Sequence, residues 1–270
     1  MPVPFPLSPE TSLRRMRIEM GTALIVEARA ADQAQLAAAV EAALDAVARI
    51  ARLLHPRGPG SDLRRIGAAA PGTVVSIGAD TLAVLSFAQR LNLMSDGLFD
   101  PCLPTRPGRV SDLELGGGAV PRAIARREVE IDCGGIAKGY AVDVAVEVLR
   151  AAGCSAGLVN AGGDLRAYGD LTEPLLLRGP RGEHWPLELK DAAIAVSDRD
   201  AACAPSGHRG YYVRAGNAAA RRYAAVRAGD AMTADALTKC VLLGSAQLAS
   251  RLLRAFGAVS LRQPGHPPAH

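Results

Sequence analysis

Lysine is nearly missing from this 270-residue chain: of its 31 basic residues only Lys138, Lys190 and Lys239 are lysines, leaving 28 arginines. The net charge of +4 is modest, and no long run of like charges occurs. That argues against a dedicated nucleic-acid surface, though it suits an anionic small ligand. Aromatic residues make up only 4%, so stacking platforms for single-stranded nucleic acid are not expected. The five cysteines (Cys102, Cys133, Cys154, Cys203, Cys240) form no CxxC pair and match no zinc-ligand spacing, so reduced, mostly buried thiols are expected. No apolar stretch reaches the roughly 20 residues of a membrane span. The first twenty residues carry prolines and charges where an export signal needs an apolar core. The chain as given therefore reads as cytoplasmic. Two familiar phosphate loops are also missing. GxxxxGK[ST] does not occur, because Lys138 is followed by Gly139, and no strand leads into GxGxxG.

What is present is a chain with 49% hydrophobic residues, enough for a sizeable core in one domain spanning 1–270. Residues 17–30 are rich in Ile, Val and Leu and predict a strand after Gly21. Asp32 opens a helix with Gln35 placed as its capping partner, and Leu36, Val40, Leu44, Val47, Ile50 and Leu54 form one apolar stripe. "GTVVSIG" predicts a short strand, and "ADTLAVLSFAQRLNLMSDG" a second amphipathic helix stopped by Gly97. Residues 101–121, rich in proline and glycine, read as a loop and as the candidate internal boundary. "REVEIDC", residues 127–133, reads as the next strand, and residues 129–165 read as a strand–helix–strand unit, a pattern that often pairs its strands in parallel. "EPLLLRGP" and "HWPLELKDAAIAVS" read as further strands. "MTADALTKCVLLG" and "SAQLASRLLRAFG" read as helices split by Gly244, and "AVSLRQ" as a last strand. The fold class is α+β, a mixed sheet flanked by helices.

Three segments carry chemistry. In "EIDCGGIAKGYAVD", Asp132 ends an apolar run, Gly134 and Gly135 let backbone approach a ligand, and Lys138 stands in the first turn of a helix whose N-terminus favours anions. Together they describe a phosphate site with a ribose or a metal beside it; the plainer alternative is a glycine-permitted turn capped by Asp132. In "TADALTK", Asp235 and Thr238 offer hard oxygen ligands suited to Mg²⁺, or Thr233 is simply an N-cap with Asp235 in the first turn. Asp235→Ala is expected to remove metal-dependent turnover while keeping the fold, since a first-turn helix acid contributes only about 1 kcal/mol of stability. In "SDGLFDP", Phe99 and Asp100 either touch a ligand or form a connecting turn anchored by Phe99.

These segments occur in an order that resembles the ApbE family, the FAD:protein FMN transferases. The family pattern runs MGT, [ST]xGxFDP, DLGGIAKGYAVD, NxGGD and ADALxT; here it reads "MGT", "SDGLFDP", "IDCGGIAKGYAVD", "NAGGD" and "ADALTK". The resemblance implies an ApbE-like, T-fold-type α+β domain that uses Mg²⁺ to split FAD, attach FMN to a threonine or serine of an acceptor protein and release AMP. It implies FAD contacts at Met20, Leu98, Phe99, Asp100, Asp132 and Lys138. It implies metal ligands at Asp235, the Gly135 backbone and Thr238, and a catalytic set of Asp235, Lys138 and His208, the last being the nearest match to a family histidine. Two alternatives go with it: a flavin-binding protein without transfer, and an FAD pyrophosphatase. The chain departs from the pattern at Lys239, where the family has threonine; the hydroxyl sits one position earlier at Thr238, a rotation of about 100° on a helix. Cys133 replaces a family leucine and reads as a small buried hydrophobe.

Overall fold

The computed structural model describes residues 11–179, 181–198 and 221–261. Among these residues ten strands and six α-helices run in the order β1 Thr11–Glu19, β2 Thr22–Ala30, α1 Gln33–Leu53, α2 Asp62–Ala68, β3 Val74–Ser76, α3 Ala79–Met94, β4 Leu113–Gly116 and β5 Arg122–Ala125. After these come α4 Ala137–Ala151, β6 Ala156–Ala161, β7 Asp164–Arg178, β8 His184–Asp198, β9 Tyr223–Ala228, α5 Ala231–Leu243, α6 Ala246–Ala255 and β10 Val259–Leu261. Seven strands form one sheet in the order β1-β2-β6-β7-β8-β9-β10, every neighbouring pair antiparallel. A second sheet holds β3-β5-β4.

Local chemistry explains most of these elements. Leu24, Val26, Ala28 and Ala30 of β2 are buried at every second position, the period of a strand with one face on a core. The Asp32 side chain accepts from Gln35 N–H at 2.9 Å and caps α1. Gln35 does not return the bond; its amide reaches instead to the Ala152 carbonyl at the end of α4. The β1–β2 hairpin closes on Met20 and Gly21 with φ of 51° and 74°, the two left-handed positions that match the twist of a tight hairpin. Helices α1, α4 and α5 cover one face of the large sheet and share its main core. A smaller cluster, with Leu165, Trp185, Leu189 and Ile194, occupies the other face.

Two sequence expectations change. Residues 127–133 do not form a strand of the large sheet; they make one antiparallel bridge, Cys102 to Ile131. The backbone of that run is satisfied by the proline-rich loop: Leu103 N–H donates to Glu130 C=O, Asp132 N–H to Pro101 C=O and Gly108 N–H to Glu128 C=O. The unit at 129–165 is therefore a bridged loop, α4 and β6, and β6 pairs antiparallel on both sides. The stretch 101–121 contains β4, and its Val110 and Leu113 join the main core. Among the described residues no helix is long and apolar enough to cross a membrane.

Candidate active site

The double-glycine turn is built from its own side chain and its neighbours. Asp132 Oδ1 accepts from Gly134 N–H at 3.0 Å, so the acid braces the turn rather than capping the helix. Cys133 C=O then takes the N–H groups of Ile136 and Ala137 and starts α4. The Cys133 thiol is buried and its pKa is pushed up by burial, the environment of an inert cysteine.

Helices α4 and α5 cap each other. Asp235, on α5, accepts from Gly139 N–H at 3.2 Å in the first turn of α4. Asp143, on α4, accepts from Ala231 and Met232 N–H at 2.8 Å each, the first two residues of α5. Each helix thus places a carboxylate on the positive end of the other. Thr233 is not the N-cap of α5; Asp230 is, accepting from Thr233 N–H at 2.7 Å. The contact needs Gly139: a Cβ there would lie 2.2 Å from the Ala231 carbonyl oxygen and 2.8 Å from Asp235 Cβ. Since backbone cannot yield cheaply, Gly139→Ala is expected to cost about 1–3 kcal/mol, read as a lower urea midpoint at unchanged slope.

Burial raises the Asp143 carboxyl to about 6, against the pull of the two N–H groups and of Arg166, whose guanidinium lies 2.9 Å away. A carboxyl with a raised folded pKa stabilises the fold below its ordinary value of 3.8 and loses that contribution as pH rises to about 6. Wild-type stability is expected to fall by about 3 kcal/mol across that window through this group, and Asp143→Asn to flatten the profile. Urea midpoints measured from pH 4 to pH 6.5 check this, and an identical slope in both proteins rejects it.

Beside the mutual caps lie two ion pairs. Lys138 pairs with Asp164, the last residue of the NAGGD segment, and Lys239 pairs with Asp235. Asp164 is 1% and Asp235 0% exposed, so neither carboxylate is solvated. Lys239 Nζ also donates to Ser197 Oγ at 3.1 Å. Thr238 Oγ1 gives its proton to the Asp235 carbonyl at 2.7 Å, so in its 2.7 Å contact with Ser197 the serine donates. Burial would raise Asp235, but the ammonium groups of Lys239 and Lys138 outweigh it and hold its carboxyl below the usual range. Asp164 is pushed up, first by burial and then by the Asp235 charge, against both lysines.

A pocket opens next to this cluster, lined by Leu98, Phe99, Asp100, Asp132, Gly135, Ile136 and Lys239 among others. The SDGLFDP loop reaches it from the end of α3, where Gly97 takes a φ of 78° and its N–H bonds Asn92 C=O. Phe99 is pinned by bonds from its N–H to Ser95 Oγ and from Asn92 Nδ2 to its carbonyl. It is both a core anchor and a pocket wall, so the two readings of this loop are not exclusive. Asp100 Oδ1 accepts from Cys102 and Val110 N–H, and burial raises its pKa.

Of the expected FAD contacts, Leu98, Phe99, Asp100 and Asp132 share this pocket; Met20 and Lys138 are not in its lining. Met20 sits on the hairpin whose Thr22 packs against the double-glycine turn at Gly162, where a Cβ would lie 2.0 Å from Thr22 Oγ1. The MGT and NAGGD segments are therefore in contact. His208 lies outside the described residues. Asp164 and Ser197 went unnoticed in the sequence. The NAGGD segment signalled Asp164; nothing local marks Ser197. The metal set does not fit a divalent ion. Asp235 gives one oxygen to Lys239 and the other to Gly139 N–H, the Thr238 hydroxyl is spent within the protein, and Lys239 lies over Gly135. Among the described residues no group of three or more His, Cys, Asp or Glu converges on one point.

Solved structures share the whole architecture. The apo flavinyl transferase ApbE of Pseudomonas stutzeri superposes with a TM-score of 0.74 at 20% identity, covering 93% of this chain and 90% of its own. The ApbE protein of Thermotoga maritima gives 0.76 at 21%, covering 94% and 97%, and the flavin transferase ApbE of Vibrio cholerae 0.75 at 20%, covering 93% of each. A comparison with curated proteins found no match. The ApbE family model matches residues 20–106 and 109–260, nearly all of the described chain and every segment that builds the pocket and its ion pairs, and the chain belongs to the ApbE family.

Proposed function

We propose that this protein transfers FMN from FAD to a threonine or serine hydroxyl of an acceptor protein and releases AMP. The observation that carries the reading is the convergence on one pocket of the SDGLFDP loop, the Asp132 turn and Lys239. The fold shared with proteins named flavinyl and flavin transferases supports it. The acceptor oxygen bonds the flavin-side phosphorus while the bond from that phosphorus to the bridging oxygen breaks. The bridging oxygen leaves with AMP, and the hydroxyl proton passes to AMP or solvent. Little covalent chemistry falls to the protein in such a transfer; it positions the groups and stabilises charge.

The residues divide accordingly. Leu98 and Phe99 give a flat ring an apolar wall. Lys239 brings a positive charge to the pocket, and Asp235 holds Lys239 in place. Lys138, fixed by Asp164, adds a second cation at the start of α4. The resemblance implies Mg²⁺ as well, but the donor set does not fit it. Incubation with FAD and an acceptor carrying the target threonine is expected to give stoichiometric AMP and a covalently fluorescent acceptor. AMP and free FMN without labelled acceptor would mean a pyrophosphatase. Intact bound FAD with no AMP would mean a flavin-binding protein that has lost transfer.

A further inference from the structure

The three residues read as the metal set, Asp235, Thr238 and Gly135, gather around one side chain, Lys239, which stands where the family has threonine. Asp235 faces the Lys239 ammonium, Thr238 joins it through Ser197, and the Lys239 methylenes cover Gly135, where a Cβ would lie 3.4 Å from Cε and 3.5 Å from Cγ. Lys239 is 12% exposed and lines the pocket. Its position one turn beyond Asp235 on α5 makes the pair an (i, i+4) contact, so the helix itself delivers the cation to the carboxylate. Mg²⁺ is usually held by one or two protein carboxylates together with substrate phosphates and waters. Here the carboxylate charge is already matched, and an incoming ion would meet an ammonium of like sign. The Asp164 carboxylate meets Lys138 through Oδ2, and its buried Oδ1 has no hydrogen-bond partner.

We propose that the Lys239 ammonium is the resident cation of this site and that the pocket binds a dinucleotide pyrophosphate without a divalent ion. The identity of the ligand rests on the flavin-nucleotide reading above; the exclusion of the ion rests on the ion pair alone. The site thus exchanges a diffusible charge for a tethered one, and both binding and transfer become independent of metal supply.

The test uses the full chain and Mn²⁺, whose free ion is counted by its paramagnetic resonance signal. The wild type is expected to leave that signal undiminished up to about 1 mM, whereas Lys239→Thr, which frees Asp235, takes the ion up. In parallel, FAD affinity read by flavin fluorescence is expected to agree within about twofold between EDTA and Mg²⁺ for the wild type. For Lys239→Thr it is expected to rise at least about tenfold with Mg²⁺. Uptake of Mn²⁺ by the wild type overturns the proposal, as does FAD binding that collapses in EDTA. A folded Lys239→Thr that takes up no Mn²⁺ also overturns it. If that variant does not fold, the wild-type measurements decide. FAD that binds under neither condition defeats the flavin reading, and the Mn²⁺ measurement still decides this one.

Discussion

Asp235→Ala is expected to lose about 3–5 kcal/mol of stability and all measurable FMN transfer. As a first-turn helix acid on the surface, Asp235 would contribute about 1 kcal/mol. The structure overturns that expectation, because Asp235 is 0% exposed and holds both the Lys239 ammonium and the Gly139 N–H. Removing the carboxylate leaves a largely buried ammonium without its counter-charge and a helix N–H without an acceptor. Uncompensated buried charge is what makes breaking such a pair costly. Removing both charges is a different experiment. Asp235→Asn combined with Lys239→Met replaces the pair by neutral groups of similar size and is expected to recover most of the loss. Urea midpoints for the wild type, the two single variants and the double variant form a cycle whose coupling should reach about 2 kcal/mol. An Asp235→Ala protein within about 1 kcal/mol of wild type would mean that the pair does not exist in solution.

Lys138→Met is expected to slow AMP release by about 10²- to 10³-fold, the usual loss when one preorganised charge is withdrawn from a phosphoryl transfer. Its effect on stability should be smaller than that of Asp235→Ala. The reason lies in the partner. Asp164 already has a raised pKa, from burial and from the neighbouring Asp235 charge. Without Lys138 it takes up a proton, and a neutral carboxyl is tolerated where a bare carboxylate is not. Lys138 itself is 29% exposed, so less packing is lost. Initial rates of AMP release and urea midpoints on the same preparations separate the two effects. A stability loss equal to that of Asp235→Ala would show that Asp164 stays ionised, and an unchanged rate would remove Lys138 from the reaction.

Much of the site was legible because it depends on contiguous residues. The helix after Gly134 and Gly135, the stop at Gly97 and the NAGGD hairpin follow from helix period and from the left-handed freedom of Gly97, Gly162 and Gly163. The strand expected at 127–133 failed for a reason that no local pattern carries. Its alternation is real, since Val129, Ile131 and Cys133 are buried, but its backbone partners are the carbonyls and N–H groups of a loop twenty or more residues away. The parallel pairing inferred from it failed too, because strand partners are set by tertiary closure and not by the order of elements.

Sequence alone determined that this chain carries an acid, two glycines and a rare lysine at a helix start, and a second acid with a lysine one helical turn on. Those spacings are fixed by covalent geometry. Tertiary structure alone decided that the two helices cross close enough to exchange caps, because Gly139 has no Cβ to hold them apart. It also decided that Asp235 is buried rather than displayed, and that Ser197 arrives from β8 to complete the contact. Charge in a sequence has a sign and a position; whether it meets water, a metal or an ammonium depends on what the fold places beside it, since desolvation and pairing are properties of the packed state.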